Sequence, residues 1–488
     1  MTAWCGLGLL LLVAAGIVLT GLPAFIVLIA AASLGALAGL FTGAVPFSLL
    51  TAVPGRLINL LDNDLLQALP LYVLMGLLLD RLPIAQALFR SGLALLPASP
   101  SAPLVSGMGL GALLGPMNGS VGASVLGLSR VVAPRLAERG VPAPLRSAAV
   151  AVASTLGVVI PPSLVLILLG DAMLSAHTIA VTVTGRADRV INTQDVFRGA
   201  LGPAVLSLVL TLAVAWLAGR HVHGKANDAR RQRERIGTAD AVTAGVALVA
   251  LLILLGGVAT GYFYAVEAAA MGATALLLIG FLTGRLHGPV LRQLLADAIA
   301  TTGALFSLLI AATTLTLVLR LLGTDRLVGD WLIAIPGNET LIVAIVLAAI
   351  GLSAFVLDAF EIIFVIVPIV IPPLLVRVAD ARWVAALVLL TLQTSFLLPP
   401  FGYALMMVRG ILKDTVTIGA LTRALLPFLL AQWTVLAVVL LAPQLTHLGE
   451  KPGDATRAPE RPLSKEEFNR RIEELLPPPP DLPGLEFK

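Results

Sequence analysis

Long apolar runs alternate with short polar breaks along the chain, and run length sets the expected elements. A run of about 20 apolar residues can cross a bilayer as a helix. Such runs recur at about 4–20, 22–41, 65–80, 199–218, 240–259, 262–282, 297–319 and 418–442. Residues 46–64 are mixed in character and predict an amphipathic connector at the interface. Two other segments, 102–134 and 340–376, are apolar pairs whose first member breaks at Asn118-Gly119-Ser120, and each reads as a re-entrant hairpin. Two more, 146–170 and 384–408, read as broken crossings, interrupted between Ser154-Thr155 and Pro161-Pro162 and again around Pro399-Pro400. Inside a bilayer, non-helical backbone survives only where protein buries it or a cavity lines it. The stretch Gly115–Ser163, with two such breaks, is therefore a candidate binding site. Residues 171–198 read as a polar loop, a surface connector that could also dock or gate.

Composition agrees with a chain that lives in lipid. Only 12% of the 488 residues are charged and 58% are hydrophobic, against about a quarter charged in a soluble domain. No Lys or Arg precedes the first run, so a retained first helix is expected rather than a cleaved leader. Cys5 is alone, the five His show no ligand spacing, and His221 and His223 share a basic, solvated segment. No phosphate-binding loop or nucleophile triad pattern is present, which argues against ATP hydrolysis and against an enzyme, and nothing points to nucleic acid.

The basic segment 219–238 is the natural midpoint, separating 1–218 from 239–444. A polar, Pro-rich tail, 445–488, reads as mostly disordered with a short helix in SKEEFNRRIEELL. With the N-terminus outside, 17 Lys and Arg fall in inside loops and eight in outside loops. The bias predicts N-out, linker-in and tail-out. Each half then has five crossings plus one hairpin, and an odd number of crossings makes the halves opposite in topology. Pro161-Pro162 returns as Pro399-Pro400 and Pro134 as Pro372, both at an offset of 238, and Thr20-Gly21 returns as Thr260-Gly261 at an offset of 240. The fold class expected is an all-α polytopic membrane protein built from two inverted-topology repeats, the architecture of a secondary transporter with its site near the midplane.

The chemistry needed is to hold a coupling cation and a polar solute and to release both. Unwound carbonyls and hydroxyls supply the hard oxygens a cation such as Na⁺ requires, and helix N-termini offer N–H groups to anions. The expected cation ligands are Ser120, Ser154, Thr155, Gly157, Asp358, Glu361, Thr394 and Ser395, through side chains or carbonyls. Asn118, Gly119, Ser120, Thr155, Gln393, Thr394 and Gly402 are expected to meet the solute, with one sodium at each break and the solute between. Asp358 takes the place of Ser120 at the same offset as the prolines, and intramembrane carboxylates are functional candidates by default. The bland readings are close helix packing by Gly, Ser and Thr, a hairpin tip near water, or pairing of the carboxylates with Arg320 or Arg326. Glu267, early in its helix, fits a structural partner at least as well as an ion ligand.

The segments GPMNGSVGAS, STLGVVIPPS, TGYFYAVEAAAMGA, LDAFEIIF and LQTSFLLPPFGYAL, in this order and spacing, resemble the large membrane (M, DctM-like) subunit of tripartite ATP-independent periplasmic (TRAP) transporters. The TSFLLPPFGYAL version resembles the branch labelled mannitol/chloroaromatic. The likeness runs from residue 1 to about 445, with a longer loop at 176–194. It implies a sodium-coupled elevator-type transporter in the bacterial inner membrane, taking up a small organic acid. It also implies a small four-helix Q subunit and a periplasmic substrate-binding P protein as partners, with the N-terminus and tail periplasmic, the linker cytoplasmic, no bound cofactor and Na⁺ as coupling ion. The NGS tip replaces the family's Ser-rich turn and Leu398 replaces a Thr before Pro399, which leaves the exact ligands open. Two readings compete with this one. One is a self-sufficient ion-coupled organic anion transporter of the same architecture; the other is an intramembrane enzyme using Asp358 and Glu361 as an acid/base pair, without the metal or nucleophile it would need.

Overall fold

The computed structural model describes residues 2–43, 52–62, 64–185, 189–220, 237–399, 402–412 and 416–448. Pro400, His221, His223, most of the basic linker and the tail beyond residue 448, with its expected disorder and short helix, lie outside the described residues.

Among the described residues the regular structure is helical. The first half comprises α1 (Thr2–Thr20), α2 (Ala24–Phe41), α3 (Ala52–Leu61), α4 (Asp64–Arg81), α5 (Ile84–Leu95), α6 (Ala102–Leu114), α7 (Val121–Glu138), α8 (Ala143–Leu156), α9 (Leu164–Thr184) and α10 (Thr193–Arg220). The second comprises α11 (Thr238–Thr260), α12 (Ala265–Leu282), α13 (Gly288–Leu321), α14 (Thr324–Ala334), α15 (Glu339–Ser353), α16 (Ala359–Arg377, with a π-turn at Ile362–Ile366), α17 (Ala381–Ser395), α18 (Tyr403–Leu412) and α19 (Ile418–Leu441). Nine of the described helices are long and apolar enough to cross a membrane, or ten if α4 and α5, bent by 64°, form one broken span.

The breaks fall where the sequence puts them. α6 and α7 form the first hairpin about a 3-10 turn at Gly115–Met117, and α15 and α16 form the second. The starts of α7 and α16, Val121 and Ala359, keep the offset of the repeated prolines, and so do the starts of α8 and α17, Ala143 and Ala381. α1 and α11 end on the repeated threonines, Thr20 and Thr260. The return limb of the second hairpin, at 19 residues, is long enough to span, so short limbs do not explain both hairpins.

The expected polar loop at 171–198 is wrong. Residues to Thr184 continue α9, and α10 begins at Thr193. Asp171, His177 and the threonines read as a break, yet a helix already hydrogen-bonded through the bilayer tolerates isolated polar residues. The hydroxyls of Thr178, Thr182 and Thr184 donate to carbonyls one turn back. The Ile191 N–H donates to His177 Nδ1 at 3.1 Å, burying the ring against the short connector. Asp195, in the first turn of α10, accepts from Asn192 N, Arg189 and Arg382. Arg382 belongs to α17, so this buried carboxylate ties the connector to the second broken helix. A charge-assisted hydrogen bond to a buried carboxylate contributes about 1.5–3 kcal/mol, and one from an exposed arginine is weakened by solvent. Arg382→Met is expected to lower the melting temperature of the detergent-solubilised protein markedly, while Arg189→Met, at an exposed side chain, lowers it little. Equal shifts would remove Arg382 from this role.

In lipid, apolar character does not distinguish inside from outside, so burial must come from packing. Ser147–Val159 and Trp383–Leu397 are buried without interruption. α8 lies between α6, α7 and α19, and α17 between α10, α15 and α19. By contrast α1 and α11 turn Leu11, Val18, Leu19, Val242, Val246 and Ile253 outward. The two break-bearing helices are thus the centre of the molecule.

Candidate ion and solute site

At the first hairpin, Gly119 adopts φ +69°, a left-handed conformation that glycine accepts without a Cβ penalty. The turn delivers Ser120 as N-cap of α7, its Oγ accepting from Ala123 N at 3.1 Å. Asn118 Nδ2 donates to Ser124 Oγ, which in turn donates to the Ser120 carbonyl. The tip rests on α4: a Cβ at Gly76 would stand 2.7 Å from the Asn118 carbonyl oxygen.

The facing break begins where α8 ends at Gly157. Ser154 Oγ donates to Val150 O at 2.7 Å. After the cis Pro161-Pro162 bond, Ser163 caps α9, accepting from Leu166 N and donating to Val158 O. Hairpin and break touch through backbone: a Cβ at Gly115 would stand 2.7 Å from Gly157 Cα. Between them lies a cavity of about 10 Å³ lined by Gly115, Gly119, Ser120, Ser124, Ser154, Gly157 and Ser163, with Val121, Leu164 and Val165 at the two helix starts. That volume admits about one water-sized sphere. The hydroxyl protons of Ser124, Ser154 and Ser163 are committed to carbonyls, so these oxygens have only lone pairs left to offer. Most of the lining is apolar, and the hydroxyl oxygens set into it offer ligands to a small hard cation.

In the second half Asp358 caps α16: its Oδ1 accepts from Ala359 N, and Glu361 Oε2 accepts from Asp358 N at 3.0 Å. This reciprocal capping box satisfies two N–H groups that a helix start leaves open. Neither Arg320 nor Arg326 pairs with these carboxylates among the described residues; Arg320 Nη2 donates to Pro368 O instead. Gln393, Thr394 and Ser395 form the last turn of α17, with Thr394 donating to Leu390 O and Ser395 to Leu392 O. Gly402 folds back, its N–H donating to Leu398 O at 2.7 Å.

Gly119, Ser120, Ser154 and Gly157 therefore converge on one cavity. Thr155 does not line it: its hydroxyl is fully buried and donates to Val152 O. Asn118 stands beside it. Asp358 and Glu361 are joined to each other but not, by any hydrogen bond of the described residues, to Thr394 or Ser395. Glu267 accepts from Tyr264 N as a helix cap, the structural alternative. At the two breaks, the buried amide atoms Asn118 Oδ1 and Gln393 Nε2 have no hydrogen-bond partner among the described residues, and buried polar atoms without partners mark places where something else binds.

Three residues escaped the sequence reading. Ser124 lies one turn after Ser120, and Ser163 directly follows Pro161-Pro162, so both carried a signal in their spacing. Tyr403 carried none. It starts α18, its hydroxyl faces Gly122 at the first hairpin (2.7 Å from a Cβ placed there), and it lies within electrostatic range of Asp358. It brings the two halves together.

Residues 11–445 match the family model described as "Tripartite ATP-independent periplasmic transporter, DctM component". The chain belongs to this family. Among curated relatives of this DctM-type chain is the C4-dicarboxylate TRAP transporter large permease protein DctM of Rhodobacter capsulatus. It is 24% identical over 447 residues, which cover 88% of this chain and 95% of that one. The sialic acid TRAP transporter permease protein SiaT of Haemophilus influenzae is 22% identical, covering 82% of this chain and 62% of its own. The sialic acid large permease SiaM of Vibrio cholerae is also 22% identical, covering 80% and 86%. Among solved structures, the YdaH transporter of Alcanivorax borkumensis shares the fold, with a TM-score of 0.59 at 15% identity over 80% of this chain and 87% of that one. This chain is a large permease component of a TRAP transporter, with multiple membrane spans, and its relatives are transporters rather than enzymes.

Proposed function

We propose that this permease carries out sodium-coupled uptake of a small organic acid across the bacterial inner membrane by an elevator motion. A periplasmic binding protein delivers the acid, and a small four-helix membrane subunit completes the scaffold. The observation that carries the reading is the one-water cavity where the first hairpin meets the first broken helix, because its walls include hydroxyl oxygens with committed protons. Ser120, Ser124, Ser154, Ser163 and the Gly157 backbone hold one sodium there. Asp358 and Glu361, with Thr394 and Ser395, serve a second sodium in the other half. Asn118 and Gln393, whose amides each keep an atom without a partner, face the solute, with Gly119, Thr155 and Gly402 shaping the breaks around it. Relatives named for C4-dicarboxylate and sialic acid support a carboxylate as the solute.

The elements divide at the basic linker into two repeats of opposite topology, supported by the matched spacing of the hairpin and broken-helix starts. The N-terminus faces the periplasm and the linker the cytoplasm, as the Lys and Arg bias supports. In vesicles containing both membrane subunits, uptake is expected only with Na⁺ outside and the periplasmic protein present. Uptake that persists after an ionophore collapses the sodium gradient overturns the coupling.

A further inference from the structure

Phe364 and Pro368 lie one turn apart on α16, Phe364 within the π-turn that follows the carboxylate-bearing tip and Pro368 just after it. In a regular α-helix their carbonyls accept from the N–H groups of residues 368 and 372. Both of those residues are proline and have no N–H. Each carbonyl finds a donor on α13 instead: Thr316 Oγ1 reaches Phe364 O at 2.9 Å, and Arg320 Nη2 reaches Pro368 O at 3.1 Å. The donors, like the acceptors, sit one helical turn apart, so two proline-opened carbonyls meet two side chains rung by rung. Thr316 also stands 2.9 Å from Ala312 O. That carbonyl already has its helical donor, the Thr316 N–H, so Phe364 O is the acceptor in need. All five residues line a cavity of about 210 Å³ between α9, α13 and α16. α13 is packed against α2 and α4, whereas α16 packs against α9.

We propose that Thr316 and Arg320 are positioning residues for transport, holding the second hairpin in register with α13 through the carbonyls that Pro368 and Pro372 leave open. The role in transport rests on the uptake reading above; the ladder itself does not. A buried carbonyl without a donor is costly, so the hairpin holds a discrete register. Because the rungs repeat every turn on both helices, a slip of one turn, about 5.4 Å, is the next position that offers a rung.

The test is a set of matched and mismatched double variants. Thr316→Val is expected to lower the maximal uptake rate about tenfold, the loss of one buried hydrogen bond, and Arg320→Met at least as much, with the solute KM changed less than twofold. Thr316→Ser keeps the donor and the rate. Pro368→Ala restores an N–H to Phe364 O, so Thr316→Val/Pro368→Ala recovers to within twofold of Pro368→Ala alone. Arg320→Met/Pro372→Ala recovers the part of the loss that the Pro368 carbonyl accounts for. The crossed pairs, Thr316→Val/Pro372→Ala and Arg320→Met/Pro368→Ala, do not recover. The same pattern is expected in the melting temperatures of the solubilised protein without sodium or solute. Matched and crossed pairs that behave alike in both measurements overturn the ladder. The matched pattern in melting temperature beside sodium-independent uptake keeps the ladder and overturns the transport reading instead.

Discussion

Alanine at Gly157 is expected to lower sodium-driven uptake at least ~10-fold and to raise the sodium concentration for half-maximal rate by a similar factor, since overpacking costs ~1–3 kcal/mol. A Cβ at Gly157 would run into the Gly115 backbone, which belongs to the 3-10 turn at the hairpin. Neither side can yield as a flexible side chain would, because both are main chain at the centre of the bundle. The cavity between them has room for about one water-sized sphere, so even a slight separation of the walls alters every oxygen distance around an ion. Gly115→Ala is expected to reproduce the effect. Gly109→Ala, on the helix that leads into the same turn and with open space at its Cβ position, is expected to leave uptake within twofold. Uptake against sodium concentration in vesicles, beside size-exclusion profiles that report folding, checks the set. Normal sodium activation in a well-folded Gly157→Ala protein would remove the ion from this cavity.

Asp358→Asn is expected to raise the half-activating sodium concentration about tenfold, roughly the 1.4 kcal/mol expected of a lost charged ligand, and Glu361→Gln less. The structure makes these clean substitutions. Asp358 Oδ1 accepts from Ala359 N, and asparagine keeps an oxygen able to do so. Glutamine likewise keeps an acceptor for the Asp358 N–H. Each variant removes charge while leaving the start of α16 capped. Asp358→Ala removes the cap as well, at a cost of about 1 kcal/mol, so it is expected to lower the melting temperature where Asp358→Asn does not. If the two amide variants show wild-type sodium activation, the capping box is structural and the second cation lies elsewhere.

Much of the architecture was legible because a bilayer makes length and interruption informative. A spanning run must be long enough to cross the hydrocarbon core, and a break within it must be excused by function or packing. Asn118-Gly119-Ser120 and Pro161-Pro162 therefore stood out before any coordinates. The loop at 171–198 was misread for the complementary reason. Asp171 and His177 resemble a break in composition, but the backbone ladder of α9 runs past them, and only packing against the connector explains why His177 can be buried. α5 and α14 were missed because short amphipathic helices leave weak apolar runs.

By itself the sequence determined that the chain is a many-span helical membrane protein, where both halves break, and which small and polar residues sit at the breaks. These follow from local chemistry: apolar run length, helix-breaking prolines and glycines, and the constant offset between the repeated motifs. Only the tertiary structure decided which of those residues share a space. It gathered Ser120, Ser154 and Gly157 with the overlooked Ser124 and Ser163, left Thr155 aside, tied Asp358 to Glu361 as a helix cap, and set Thr316 and Arg320 against the carbonyls opened by Pro368 and Pro372. The physical reason is that most of these partners lie on different helices, far apart along the chain. Which face of one helix meets another depends on the close approach of backbones, which no local pattern encodes.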